Sequence, residues 1–203
     1  MYSSSTEFLI RFNDLQFTIH YSDLAIQIKG FTSVTHNDEV DTTVVLPFIY
    51  EDLDGIEFAR GDPTSKWSSI RASMGHLEPF NMKYVVVGNE GCGKNNYLGN
   101  YLKFYIEIRR AYLYIEIISN YNGSSTPLDH PADMYDYRIY TSANDMFSRV
   151  TIFNQVTRNG PKTFVSEYAV TRKDVGQGSL LVALAEAEFL IGLENNRFSE
   201  VSY

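Results

Sequence analysis

The residues best placed to do chemistry follow one apolar run. Gly88-Asn89-Glu90-Gly91-Cys92-Gly93-Lys94-Asn95 comes directly after Tyr84–Val87 and carries the spacing G-x-x-x-x-G-K. A loop of that spacing after a strand can turn its backbone N–H groups onto phosphate oxygens while the lysine reaches the outer ones. Gly88, Gly91, Gly93 and Lys94 are therefore the candidate phosphate-binding residues. Cys92 lies in the same loop, but a nucleophilic thiolate needs a base or a strongly positive setting. Only Lys94 is near in sequence, so Cys92 reads as an incidental thiol.

Over about a dozen residues, Lys83–Asn95, this segment resembles the Walker A motif of P-loop nucleotidases. The resemblance implies a nucleotide-binding enzyme working through a degenerate loop, 88–95. Three features depart from it. Asn95 stands where Ser or Thr would bind Mg²⁺, Asn95–Leu102 is Asn-rich and broken by Gly99, and no apolar strand ending in Asp follows. A plain glycine turn is the simpler reading, with no cofactor expected.

Two other groups of carboxylates offer chemistry. Glu107 and Glu116 stand among Tyr105, Arg109, Tyr112 and Tyr114, and paired carboxylates are what glycoside hydrolysis uses. As diagonal neighbours on a hairpin they fit a solvated or partner-binding face better, tyrosine adding contact area at little entropic cost. The second group is denser. Asp38, Glu39, Asp41, Glu51, Asp52, Asp54, Glu57 and Asp62 are opposed within their segment only by Arg60, in a chain whose formal charge is −8. Asp52-Leu53-Asp54-Gly55 fails as an EF-hand, because Tyr50 and Gly61 would occupy the first and twelfth positions. The four histidines have no metal-ligand spacing, so no metal site is expected. Concentrated negative charge suits docking to a basic protein, and it disfavours nucleic acid and anionic membranes.

The elements that would carry these residues read mainly as strands. Period-2 alternation in Phe8–Phe12, Leu15–Tyr21 and Leu24–Phe31 suggests a three-stranded antiparallel meander. Thr42–Tyr50 reads as a strand with Pro47 near an edge. The aperiodic stretch Glu51–Pro79 leaves room for a short helix near Lys66–Ser73. Met82–Val87 is a strong strand. Lys103–Arg109 and Tyr112–Ile118 form a hairpin in which Phe104, Ile106 and Ile108 face Ile117, Ile115 and Leu113. Tyr135–Thr141 is a further strand, and Asn159-Gly160 turns a hairpin between Arg149–Thr157 and Thr163–Thr171. Ser179 can cap a helix over Leu180–Asn196 that is apolar on two sides.

The sequence thus predicts an α+β fold, mainly antiparallel β with one C-terminal helix around 180–196, as a single domain 1–203. One cysteine, no signal-like start and no bilayer-length apolar run suggest a soluble cytoplasmic protein. The leading functional expectation is a non-enzymatic binding protein of inhibitor or immunity type, docking a basic partner through 38–62 together with Tyr105, Tyr112 and Tyr114. A structural subunit that self-associates through edge strands and the C-terminal helix comes next. The nucleotide enzyme comes last.

Overall fold

The structure is a computed structural model that describes residues 8–12, 15–19, 24–28, 40–88, 93–124, 126–156, 158–171, 179–196 and 199–201. The chain divides into two compact units, Met1–Asn120 and Tyr121–Tyr203.

In the first unit, β1 (Phe8–Phe12) and β2 (Leu15–Ile19) form the expected antiparallel hairpin. The meander stops there. β3 (Leu24–Ile28) runs parallel to β4 (Met82–Val87), and β4 runs parallel to β5 (Glu116–Ser119). Parallel strands need crossovers, and helices supply them. Val85, Val86 and Val87 of β4 and Ile117 and Ile118 of β5 are all buried, as continuous apolar runs in two-sided parallel sheets are.

Two segments read as strands are helices. Thr42–Tyr50 leads into α1 (Leu46–Arg60), with Pro47 in its first turn, where a missing N–H costs no hydrogen bond. Lys103–Arg109 lies inside α3 (Tyr97–Ala111), and the hairpin to Tyr112–Ile118 does not exist. The alternation of Phe104, Ile106 and Ile108 was a short-window coincidence. Tyr97, Tyr101, Phe104 and Ile108 form the buried stripe at helical spacing, while Ile106 is exposed.

A buried arginine organises the connection from α1 to β4. Arg71, on α2 (Ser68–Ser73), is 1% exposed and donates only to backbone carbonyls. Its Nη1 reaches Phe58 O at 2.7 Å and Ala59 O at 2.9 Å, on the last turn of α1. Its Nη2 reaches Gly61 O and Leu77 O, at 3.0 and 3.2 Å, and Nε reaches His76 O at 3.1 Å. Every branch of the guanidinium is thereby bonded, and carbonyls left over at the end of α1 gain donors. Burial pulls the Arg71 pKa down, partly opposed by Glu78 and Asp62.

In the second unit, β6 (Met134–Thr141), β7 (Lys162–Val170) and β8 (Ser199–Val201) are parallel neighbours in that order. The hairpin expected around Asn159-Gly160 is absent. The segment expected as its first arm, Arg149–Thr157, instead follows α4 (Ala143–Ser148) and contains a 3₁₀ turn, Ile152–Gln155. α5 (Leu180–Asn195) begins at Ser179, whose hydroxyl accepts from Val182 N. Its inner side, Ala185, Phe189 and Leu193, packs with Tyr135, Tyr137, Ile139, Met146, Phe153 and Val165. Gly192 permits this approach, since a Cβ there would meet Val150 O at 2.2 Å. In both units, chain order and sheet order agree along parallel strands. The mainly antiparallel assignment is therefore wrong.

Arg71→Met should lower unfolding free energy in urea by about 3–5 kcal/mol, because several carbonyls lose their donors at once. Arg71→Lys should recover little of it, since an ammonium cannot reach carbonyls on both sides.

Candidate active site

β6 and β7 place a group of charged side chains on one face. Tyr135, Tyr137 and Ile139 of β6 point into the helix-packed core, so Asp136, Arg138 and Tyr140 point the other way. Their partners on β7 depend on an irregularity. Asp136 pairs with Phe164 and Tyr137 with Val165, but Arg138 then pairs with Glu167, Ser166 being the extra residue. An unbroken register would put Glu167 beside Ile139, towards the apolar core. The bulge turns it to the side of Arg138 instead.

The contacts on that face are short and charged. Tyr140 donates its hydroxyl to Glu167 Oε2 at 2.5 Å, and Arg138 Nη1 lies 3.3 Å from Glu167 Oε1. Arg138 Nε donates to Asp136 Oδ2 at 2.6 Å, and Ser166 Oγ donates to Asp136 Oδ1 at 2.6 Å. Asp136 is fully enclosed, whereas the Glu167 side chain keeps 35% of its exposure. The result is one accessible carboxylate held by a phenol and a guanidinium, with a second carboxylate buried behind the guanidinium.

A cavity of about 440 Å³ shares Arg138 and Tyr140 as lining. Its other walls include Asn122, Ser124, Asp145 and Arg149. Arg149 Nε donates to Asp145 Oδ2 at 2.7 Å and Nη1 to the Tyr137 hydroxyl at 3.3 Å. The Asp145 bond is the main reason that the Arg149 pKa is raised, and burial pushes the Tyr137 phenol up. Tyr137, Ile139, Thr141 and Ile152 complete the lining of the cavity, and Glu167 is not part of it.

The model of the alpha-L-arabinofuranosidase 1 domain family matches residues 11–158. The chain belongs to that family. It is 63% identical over 163 residues to alpha-L-arabinofuranosidase 1 of Arabidopsis thaliana, covering 80% of this chain and 24% of the relative. Alpha-L-arabinofuranosidase 2 of the same plant is 60% identical over the same shares. An extracellular exo-alpha-L-arabinofuranosidase of Streptomyces chartreusis is 33% identical over 81% of this chain and 21% of the relative. Among solved structures, the arabinose-bound MgGH51 α-L-arabinofuranosidase aligns with a TM-score of 0.75 at 26% identity, covering 87% of this chain and 31% of that one. The chain spans about a quarter of the length of the curated relatives it matches.

Membership of an arabinofuranosidase family overturns the expectation of a non-enzymatic inhibitor or immunity protein, and with it the structural-subunit and nucleotide-enzyme alternatives. Strand–loop–helix context does exist around the glycine loop: Gly88 follows β4 with φ of 107°, Gly93 has φ of 89°, and α3 follows. A βα connection of a parallel sheet has that form whatever it binds. Lys94 is half-buried, and Gly91 lies outside the described residues together with Asn89, Glu90 and Cys92.

The acidic segment is spent largely within its own fold. Asp38 and Glu39 lie outside the described residues. Asp41 accepts from Thr43 N and Oγ1 at 2.7 and 2.6 Å, and Asp62 accepts from Thr64 N and Oγ1 at 2.9 and 2.5 Å. These bonds lower both pKa values. Glu57 accepts from Trp67 N at 3.0 Å, and Glu51 and Asp54 are half-buried on α1. Tyr105 lies on α3 with Arg109 5.3 Å from its ring, Tyr112 is half-buried and Tyr114 is 87% exposed. Glu107 pairs with Arg110 on α3 while Glu116 opens β5, so they share no element. Asp136, Arg138, Tyr140 and Glu167 were missed. The signal for Asp136, Arg138 and Tyr140 was the polar set at every second position of Tyr135–Thr141, opposite an apolar set, whereas Glu167 depends on the bulge in β7.

Asp52 is the exception in the acidic segment. It is 1% exposed, and neither carboxyl oxygen has a hydrogen-bond partner. It cannot present charge to a partner. Burial, then Glu51, raises its pKa well above the usual carboxylate range. The unfolded chain loses this proton at a lower pH than the folded one, so stability falls as pH rises through that interval. Asp52→Leu should raise unfolding free energy by about 1–3 kcal/mol at pH 8, with the gain shrinking towards pH 4. Urea unfolding at the two pH values measures this, and an equal gain at both would contradict a neutral buried acid.

Proposed function

We propose that this chain supplies part of the sugar-binding and bond-cleaving site of an α-L-arabinofuranosidase, with Glu167 as the carboxylate that attacks the anomeric carbon. The observation carrying this is the placement of Glu167 by the β6–β7 bulge: accessible, in the C-terminal half of a parallel strand, and held by Tyr140 and Arg138. In β/α folds of singly wound parallel strands, reacting groups gather at the C-terminal ends of the strands. The names of the relatives supply the substrate class, a terminal α-L-arabinofuranosyl group.

Glycoside hydrolysis proceeds through a transition state carrying positive charge on the sugar ring. An ionised Glu167 stabilises that charge and supplies the electron pair that displaces the leaving oxygen. The Tyr140 hydroxyl and the Arg138 guanidinium fix its orientation. A second carboxyl group must protonate the leaving oxygen. By the same rule of position, the first unit offers Glu90, three residues after β4 ends at Val87. It is nominated from sequence position alone. The expectation of a cytoplasmic location rests on one cysteine, no signal-like start and no bilayer-length apolar run. Among the described residues no helix is long and apolar enough to cross a membrane, and the Streptomyces relative is named extracellular.

The test is hydrolysis of nitrophenyl α-L-arabinofuranoside and of an arabinose disaccharide. It uses the full chain and a chimera in which the chain replaces the matching segment of the Arabidopsis relative. Glu167→Gln should lose roughly 1,000-fold or more on both substrates. Glu90→Gln should lose roughly 100- to 10,000-fold on the disaccharide but far less on the nitrophenyl substrate, whose leaving group needs no proton. Tyr140→Phe should lower kcat by roughly 10- to 100-fold. If neither wild-type protein cleaves either substrate, or if Glu167→Gln stays active, the proposal fails.

A further inference from the structure

We infer that Asp136 is a positioning residue: it takes the strong bonds of Arg138 and thereby fixes how Arg138 meets Glu167. The inference rests on Glu167 being the reacting carboxylate. Asp136 has no exposed side-chain surface, so it cannot touch a sugar itself. A buried carboxylate is costly unless it is bonded on both oxygens, and this one is. Oδ2 accepts from Arg138 Nε and Oδ1 from Ser166 Oγ, each at 2.6 Å.

Distance separates the two carboxylates that Arg138 serves. The 2.6 Å bond to Asp136 is that of a tight charge-assisted pair, while the 3.3 Å approach to Glu167 is long for one. Left alone with Glu167, a guanidinium favours a two-pronged grip on both carboxylate oxygens. Such a grip would bring an arginine N–H to Oε2 as well, in competition with the Tyr140 hydroxyl. Asp136 takes the Nε edge of Arg138 out of such a grip, and Nη1 is the nitrogen that approaches Glu167 Oε1. The second bond has its own consequence. Ser166 is the residue that the bulge inserts, so one buried carboxylate anchors both the arginine and the irregularity that aims Glu167.

The experiment is a double-mutant cycle on nitrophenyl α-L-arabinofuranoside, in whichever of the full chain and the chimera is active. Asp136→Asn should lower kcat by roughly 10- to 100-fold with KM within about twofold, because ground-state sugar contacts are untouched. In an Arg138→Gln background the same change should cost little more, since its effect passes through Arg138. Ser166→Ala, which removes one bond and no charge, should give a smaller loss of the same kind. Equal losses in both backgrounds, or unchanged kcat in Asp136→Asn, would overturn the inference. A readout independent of turnover is the Arg138 Nε proton in NMR spectra of the ¹⁵N-labelled full chain. It should be protected from exchange in wild type and in Glu167→Gln but not in Asp136→Asn. Protection that survives Asp136→Asn would also overturn it. An inactive wild type that keeps this pattern would count against the role of Glu167 and leave the Asp136–Arg138 link standing.

Discussion

One extra residue in β7 decides what the second unit can do. Side chains of a strand alternate between faces, so every residue after an insertion changes sides. At Ser166 that change moves Glu167 from the apolar face, where Ile139 lies, to the face of Arg138. The bonds from Tyr140 and Arg138, and the accessibility of the carboxylate, all follow from that shift. Asp136 then stabilises it through Ser166. Without the insertion Glu167 would lie on the apolar face that packs with Phe189, where a carboxylate is costly.

The first unit solves a different problem with the same kind of group. Turning the chain from the end of α1 back towards β4 leaves carbonyls without intrahelical donors, and Arg71 supplies them from a short helix too small to be stable by itself. In both units a buried charged side chain is tolerated because its polar atoms are satisfied nearby. Asp52 departs from that rule, having no bonded oxygen, and burial raises its pKa well above the usual carboxylate range. Within 38–62, Asp41 and Asp62 accept bonds from turn residues, Glu57 accepts from Trp67 N and Asp52 is buried.

Legibility in the sequence followed the length over which a period could be tested. Met82–Val87 and Leu180–Asn196 were readable because an unbroken apolar run, or a cap followed by sixteen residues, leaves little choice. Lys103–Arg109 was misread because seven residues fit period 2 as well as 3.6, and the deciding residues, Tyr97 and Tyr101, lay outside that window. The Pro47 signal admitted both an edge strand and a helix start, and its setting chose the second. The site was not legible. Paired carboxylates among tyrosines suggested glycoside chemistry, but Glu107 and Glu116 were the wrong pair, because the hairpin that joined them was not there.

The sequence by itself determined which segments are apolar enough to be covered, where helix α5 starts, and that polar residues alternate along Tyr135–Thr141. These are local properties, set by period and side-chain type. Only the tertiary structure decided that the strands run parallel, that Glu167 lies beside Arg138, and that Asp136 is enclosed. Each of those depends on which strands become neighbours and in what register. That is fixed by burial summed over residues far apart in the chain, and no single segment carries it.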